Sequence, residues 1–183
     1  MESLPSGIQY RHWPVDDAKA CVLLAHGLAE HTGRYEHVAA RFNERGVAVV
    51  GPDHRGHGAS PGVRVYLKSF SEYLEPMQAL RARIDEWYPG RPVFLMGHSM
   101  GGLISAHLLL ASQPAFQGAM LSGPAFHAVD PAPAPLLWVG RVLKKVLPKL
   151  GMVSLDANGV SRDPAVVADY LADPLVYNGK ITT

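Results

Sequence analysis

Short apolar runs recur along the first two thirds of the chain. Residues 20–26, 47–50 and 93–96 are almost continuously apolar, a pattern typical of strands buried on both faces of a parallel sheet. Residues 8–15 alternate weakly between apolar and polar positions and predict an edge strand. Residues 119–122 predict one further short strand. The chain therefore offers a series of strands, most of them without a solvent-facing side.

Segments with helical spacing separate these strands. Tyr35, Val38 and Phe42 share one face of a predicted helix within residues 33–46, and a longer helix is expected to begin after Ser69 or Ser71 and to reach about Tyr88. Residues 101–112 and 165–171 are also predicted to be helical. Helices that alternate with buried strands indicate an α/β fold with a mostly parallel, doubly wound sheet. Ligands bind such sheets at the carboxyl ends of the strands.

The pattern changes after Gly123. Residues 124–135 carry four prolines and no sheet-like run, and residues 136–150 form an amphipathic stretch with a basic polar face. We interpret this region as an insertion into the fold. The apolar face of the stretch either rests on a lipid surface or packs on the core below it, and the sequence leaves both interpretations open.

Composition and charge narrow the class of protein. The 183 residues are 48% apolar with a formal net charge of +1, which suits one compact domain and gives no basic surface for nucleic acid. The single cysteine, Cys21, lies in an apolar run, so we expect a buried residue and no disulfide.

The first 17 residues carry no signal-peptide pattern, and no apolar run reaches the roughly 18 residues of a membrane span. We expect a cytoplasmic protein.

The candidate chemistry begins at the pentapeptide Gly97-His98-Ser99-Met100-Gly101. It has the G-x-S-x-G pattern and stands between a predicted strand and a predicted helix. In this context the serine occupies a strained turn that projects its hydroxyl above the sheet, and the glycines avoid collisions with neighbouring elements. Ser99 is therefore the predicted nucleophile, and Gly97 and Gly101 are predicted to support the turn.

An oxyanion hole is predicted from a second strand end. His26-Gly27-Leu28 follows the first buried strand, at the same rim of the sheet as Ser99. The backbone N–H groups of Leu28 and Met100 can then converge on a developing oxyanion. His26 and Gly27 are predicted to support this turn.

The general base is the weak point of this interpretation. In this fold the catalytic order is serine, then an acid, then histidine, and the chain after Ser99 contains only His107 and His127, with no acid before His127. We expect His107 and His127 to lie on the helix and at the surface, and His98 to support the turn. His54 and His57 are expected to have at most an indirect role. The sequence predicts that the chain stops before its catalytic acid and base.

Three motifs together resemble the monoacylglycerol lipase and lysophospholipase group of α/β-hydrolases. They are His26-Gly27-Leu28-Ala29-Glu30-His31-Thr32-Gly33-Arg34-Tyr35, Asp53-His54-Arg55-Gly56-His57-Gly58-Ala59-Ser60, and Gly97-His98-Ser99-Met100-Gly101-Gly102. The likeness continues through Asp156, Ser161-Arg162-Asp163 and Asp173-Pro174-Leu175-Val176-Tyr177. It covers nearly the whole chain.

The resemblance implies an α/β-hydrolase core in residues 1–124, a helical cap or lid in residues 125–173 and a return toward the core in residues 174–183. It also implies that Ser99 is the nucleophile, with oxyanion N–H groups from Leu28 and Met100. The family has two more sheet strands, which carry the triad Asp and His; those strands and residues are expected to be absent from this chain.

We therefore expect a serine ester hydrolase that cleaves monoacylglycerols, lysophospholipids or similar single-chain esters through an acyl-enzyme on Ser99. The resemblance implies no metal and no organic cofactor. It allows transient contact with a membrane surface through the segment that begins at Trp138 and ends at Leu150. The alternatives are a thioesterase or acyltransferase with the same apparatus, and a non-catalytic fragment. The sequence does not predict the oligomeric state.

Overall fold

A computed structural model describes residues 1–112, 116–126, 151–154 and 156–182. The strands are β1 (Glu2–Ser3), β2 (Gln9–Trp13), β3 (Ala20–Ala25), β4 (Val47–Pro52), β5 (Val93–His98), β6 (Gly118–Ser122), β7 (Gly151–Ser154) and β8 (Lys180–Thr182). The helices are α1 (Glu36–Asn43), α2 (Ser71–Trp87), α3 (Met100–Ser112) and α4 (Pro164–Ala172), with short 3-10 helices at Thr32–Tyr35 and Ala157–Gly159.

Six strands form one mixed sheet in the order β1-β2-β4-β3-β5-β6. The first two are antiparallel to their neighbours, whereas β4, β3, β5 and β6 run parallel, with Cys21 opposite Val93 and Ala25 opposite Gly97. Because these strands are in parallel register, the ends of β3 and β5 lie side by side at one rim. The predicted α/β fold with a mostly parallel sheet is confirmed.

The apolar run in β3 is explained by burial on both faces. Cys21, Leu23 and Ala25 belong to the larger core cluster, which includes residues of α2 and α3. Val22 and Leu24 point to the opposite face and belong to a smaller cluster with residues of α1. Burial of each of the larger side chains, those of Val22, Leu23 and Leu24, contributes about 1.5 to 3 kcal/mol. This packing on both faces holds β3 in place, and with it the strand end at which the site lies.

Two details of the core differ from the sequence-based expectations. The strand within residues 8–15 is not an edge strand, since β1 pairs outside it. Neither Ser69 nor Ser71 is the residue before α2: Phe70 holds that position without a side-chain cap. The Ser69 hydroxyl still accepts a hydrogen bond from the first N–H of the helix, that of Ser71, at 3.3 Å. The Glu72 carboxylate accepts from the N–H groups of Lys68 and Ser69, which precede the helix.

The region after Gly123 also differs in part. β7 and β8 form a separate antiparallel pair, which the sequence analysis did not predict. The helix predicted at residues 165–171 is confirmed as α4. The amphipathic stretch predicted at residues 136–150 lies outside the described residues. Within the described ranges, none of the helices combines the length and apolar character needed to cross a bilayer.

Candidate active site

Ser99 lies on a tight turn between β5 and α3. Its φ angle is +52°, a left-handed conformation that is uncommon for any residue other than glycine. A Cβ on Gly101 would overlap the Ala25 carbonyl oxygen, and one on Gly97 would overlap the Gly101 carbonyl oxygen. The two glycines therefore let the turn sit directly against β3.

Backbone hydrogen bonds hold this turn in place. The Ser99 N–H donates to the Ser122 carbonyl oxygen of β6 at 3.0 Å, and the Ser99 carbonyl oxygen accepts from the N–H groups of Gly102 and Ala125, each at 3.0 Å. The Ser99 hydroxyl has no hydrogen-bond partner among the described residues. The hydroxyl is therefore available to react, and Ser99 lies at the wall of a cavity.

That cavity has a volume of about 420 Å³ and is lined by Ser99, His98, Gly27 and Leu28, among others. The Leu28 N–H has no acceptor within the described part of the chain. Met100 is the first residue of α3, so its N–H lacks an acceptor within the helix. The oxyanion roles of Leu28 and Met100 remain predictions.

Residues 27–31 form a segment that we call the oxyanion loop. The Gly27 N–H donates to Glu30 Oε1 at 2.6 Å, and the hydroxyl of Tyr35 donates to the same oxygen at 2.7 Å. Arg34 pairs with the other Glu30 oxygen at 3.3 Å. The buried carboxylate of Glu30 thus closes the loop on itself, and its charge is compensated by Arg34.

His26 anchors the loop from the core side. Its Nδ1 lies 2.7 Å from the Gly27 carbonyl oxygen, and its Nε2 accepts a hydrogen bond from the His54 N–H at 2.9 Å. A second anchor is Asp53, whose carboxylate accepts from the N–H groups of Thr32 and Ala59, each at 2.9 Å. Buried polar side chains therefore tie the loop to the segment that follows β4.

Three buried imidazoles lie together beneath the loop. The ring centroid of His26 is 4.3 Å from that of His54 and 5.4 Å from that of His57. Burial lowers the pKa of His54 to about 3 and that of His57 to about 4, and burial together with the two neighbouring imidazoles lowers the pKa of His26 well below its ordinary value. All three rings are therefore neutral at physiological pH.

The far side of the cavity is formed by α4 and the segments beside it. Tyr170, Asp156 and Val160 line it together with Glu30 and Arg34. The guanidinium of Arg34 lies 4.4 Å from the centre of the Tyr170 ring, a cation–π contact. The cavity wall therefore combines polar side chains from two distant parts of the sequence.

Two further contacts tie the segment around α4 to the oxyanion loop. His31 Nε2 lies 2.7 Å from Asp173 Oδ2, and the Tyr177 N–H donates to the Ala29 carbonyl oxygen at 2.8 Å. Sequence reasoning quoted these residues within motifs but gave Glu30, Arg34, Asp156 and Tyr170 no role. Glu30 and Arg34 are four residues apart and closely follow His26-Gly27. This spacing was the one sequence signal that could have identified them as a pair beside the site.

The remaining histidines do not contact the Ser99 hydroxyl in the described part of the structure. The exposed His98 ring places Nδ1 3.1 Å from the Ser122 carbonyl oxygen. His107 is exposed and packs against Phe70, with ring centroids 4.6 Å apart. His127 and the segment between Trp138 and Leu150 lie outside the described residues. No group of three or more metal-ligating side chains that could hold a metal occurs in the described ranges.

Comparison with known proteins places this geometry in a family. A family model described as "Serine aminopeptidase, S33" (Hydrolase_4) matches residues 16–183. The monoacylglycerol lipase of Mycolicibacterium smegmatis is 45% identical over 175 residues, which are 95% of this chain and 62% of that protein. Human monoglyceride lipase is 38% identical over 170 residues, 91% of this chain and 55% of that protein.

A solved structure agrees with these sequence relatives. The crystal structure of Paleococcus ferrophilus monoacylglycerol lipase superposes with a TM-score of 0.81 at 30% identity, covering 96% of this chain and 65% of that one. This chain thus spans less than two thirds of the length of the proteins it matches. It belongs to the serine aminopeptidase S33 (Hydrolase_4) family and has the α/β-hydrolase fold.

Proposed function

We propose that Ser99 is the nucleophile of a serine ester hydrolase that acts on monoacylglycerols, lysophospholipids or similar esters with one acyl chain. Ser99 attacks the ester carbonyl, the alcohol leaves, and water then releases the acyl group from the enzyme. The N–H groups of Leu28 and Met100 stabilise the oxyanion of each tetrahedral intermediate. The relatives named as monoacylglycerol and monoglyceride lipases support this substrate class.

The observation that carries the proposal is the position of Ser99. A serine at φ +52° on a strand-turn-helix, with an uncommitted hydroxyl and the unpaired Leu28 N–H on the same cavity, is the arrangement that acyl transfer requires. Purely structural serines on turns normally use their hydroxyl to hydrogen-bond neighbouring backbone groups.

The cavity is suited to an ester that has one polar and one apolar part. Glu30, Arg34 and Asp156 offer hydrogen-bonding groups for an alcohol with free hydroxyls, whereas Leu28, Ala157 and Val160 offer apolar surface. We propose that these polar groups bind the alcohol and that the apolar side chains contact the acyl chain near the ester.

We further propose that residues 125–173 form a lid over this cavity. Support comes from Asp156, Val160 and Tyr170, which lie in this range and form part of the cavity wall. Contact of the lid with a membrane surface through the segment from Trp138 to Leu150 remains a prediction. The proposal assigns no general base or partner acid, since no described histidine contacts the Ser99 hydroxyl.

The test is hydrolysis by the full-length gene product. Ser99→Ala is expected to abolish release of fatty acid from a monoacylglycerol and of 4-nitrophenol from a short aryl ester, because the covalent step is lost. Ser71→Ala, at an exposed serine at the start of α2, is the matched control and should retain activity. Wild-type rates in purified Ser99→Ala protein would contradict the proposal.

A further inference from the structure

We propose that His26 is a positioning residue that sets the direction of the Leu28 N–H, the predicted oxyanion donor. The inference rests on the proposed function. It concerns a side chain that does not line the cavity and that is fully buried. Its effect on the reaction is therefore exerted through the backbone of the oxyanion loop.

The first step of the argument is peptide geometry. The Gly27 carbonyl and the Leu28 N–H belong to one peptide group, which is planar and trans, so the C=O and N–H bonds point in opposite directions. None of the peptide bonds of the described residues is cis. The contact of 2.7 Å between His26 Nδ1 and the Gly27 oxygen fixes one end of this group. Fixing the carbonyl toward the core turns the N–H toward the opposite side.

The second step is the tautomer of His26. The Gly27 carbonyl oxygen can only accept a hydrogen bond, so Nδ1 must carry the proton. The His54 N–H can only donate, so Nε2 must be unprotonated. Both ring nitrogens are therefore committed in one neutral tautomer, and a second proton at Nε2 would face the His54 N–H.

The third step is the preceding peptide group. The Gly27 N–H donates to Glu30 Oε1 at 2.6 Å, so the backbone is held on both sides of Gly27. The Leu28 N–H is left without an acceptor in the described residues. A donor that is fixed before substrate binds needs no reorganisation when the oxyanion forms. A hydrogen bond to the Gly27 oxygen also polarises this peptide group and strengthens its N–H as a donor.

Two isosteric substitutions separate the two nitrogens of His26. In His26→Asn the side-chain amide nitrogen replaces Nδ1 and keeps the bond to the Gly27 oxygen. In His26→Gln the longer side chain reaches the position of Nε2 and accepts from the His54 N–H, but it has no group at Nδ1. The pair therefore compares loss of the oxyanion-loop contact with loss of the core contact.

We expect kcat of the full-length gene product to fall about 10-fold to 100-fold in His26→Gln, with KM changed by less than about 3-fold, because the loss is specific to the transition state. His26→Asn should retain kcat within about 3-fold. The affinity for a trifluoromethyl ketone, which forms an oxyanion on Ser99, should fall in parallel with kcat. His12→Gln is the control, because this partly buried imidazole hydrogen-bonds the Tyr88 hydroxyl at 2.9 Å and does not contact the oxyanion loop; its kcat should be unchanged.

Equal kcat values for His26→Gln and wild type, or equal losses in both His26 variants, would overturn the proposal. The wild-type protein gives a test that is independent of how the variants fold. Nitrogen-15 NMR of the histidine rings should show His26 as the neutral Nδ1–H tautomer between pH 6 and 8, and an Nε2–H tautomer would overturn the proposal. Activity in Ser99→Ala would instead refute the proposed function and leave the tautomer result intact.

Discussion

The two halves of the predicted oxyanion hole are built in different ways. On the Met100 side, the turn at Ser99 is held by backbone hydrogen bonds to Ser122 and Ala125 and by the absence of side chains at Gly97 and Gly101. On the Leu28 side, the loop is held by the side chains of His26, Glu30 and Asp53. One half depends on sterics and the other on buried ionisable groups.

This difference determines what can disturb each half. Backbone amides and glycines do not titrate, so acid does not act directly on the turn at Ser99. The oxyanion loop depends on a neutral His26 beside two more neutral imidazoles. We therefore expect a decrease in pH to disrupt the oxyanion loop before it disrupts the turn at Ser99. A larger side chain at one of the two glycines should instead disrupt the turn.

The largest effect of a single substitution is expected from added volume at the turn. In Gly101→Ala the new methyl group would overlap the Ala25 carbonyl oxygen, which belongs to the fully buried β3 and cannot move aside. We expect a loss of about 3 kcal/mol or more in the free energy of unfolding, measured by denaturant titration. Gly159→Ala is the control, since its Cβ would meet no atom within 4 Å. Equal stability of the two variants would remove the steric account of the turn.

The next effect is expected from acid. The pKa values of His54 and His57 are lowered to about 3 and about 4 and that of His26 is also lowered, whereas an unfolded histidine titrates near pH 6.5. Between these values the unfolded state binds more protons, so stability is fully present above about pH 7 and falls as pH decreases. At pH 5 the depressed pKa values of His54 and His57 each cost roughly 2 kcal/mol of stability.

Denaturant titrations from pH 8 to pH 5 measure this loss. His54→Phe should make the pH dependence shallower, because both ring nitrogens of His54 are buried without a hydrogen-bond partner in the described structure. Removal of the exposed His37 in His37→Gln should leave the slope unchanged. A free energy of unfolding that is flat across this range would show that the buried rings are not neutral.

The smallest effect is expected at Asp53. Its two oxygens accept the N–H groups of Thr32 and Ala59, and Asp53→Asn turns one oxygen into an amide that faces an N–H donor. We expect a loss of about 1 to 3 kcal/mol, measured by thermal or denaturant unfolding. Asp85→Asn, at a carboxylate that is 59% exposed, should change stability by less than about 1 kcal/mol. Equal losses of stability in Asp53→Asn and Asp85→Asn would show that Asp53 does not anchor the loop.

The two halves also differ in how far the sequence predicted them. The turn at Ser99 and the strands around it could be predicted because apolar runs and the G-x-S-x-G spacing are local signals. The anchors of the loop join residues far apart in sequence, such as His26 with His54 and His31 with Asp173, and no local pattern reports such contacts. The same limit explains the missed β7–β8 pair, in which strands 26 or more residues apart are joined.

The start of α2 is the other difference. The helix follows Phe70, while the Ser69 hydroxyl accepts the Ser71 N–H at 3.3 Å and Glu72 accepts the N–H groups of Lys68 and Ser69. Residue type alone does not indicate which acceptor takes which of these donors. The position of Glu30 is a similar case, since its sequence position indicates proximity to the loop but does not indicate which N–H it binds.

The central claim is that Ser99 forms an acyl-enzyme. The most direct measurement is to mix the full-length gene product with a 4-nitrophenyl ester, quench in acid within the first turnovers and map the modified peptide by mass spectrometry. We predict an added acyl mass on Ser99, and none in Ser99→Ala. Turnover of the ester without acylation of Ser99, or acylation at another residue, would contradict the account.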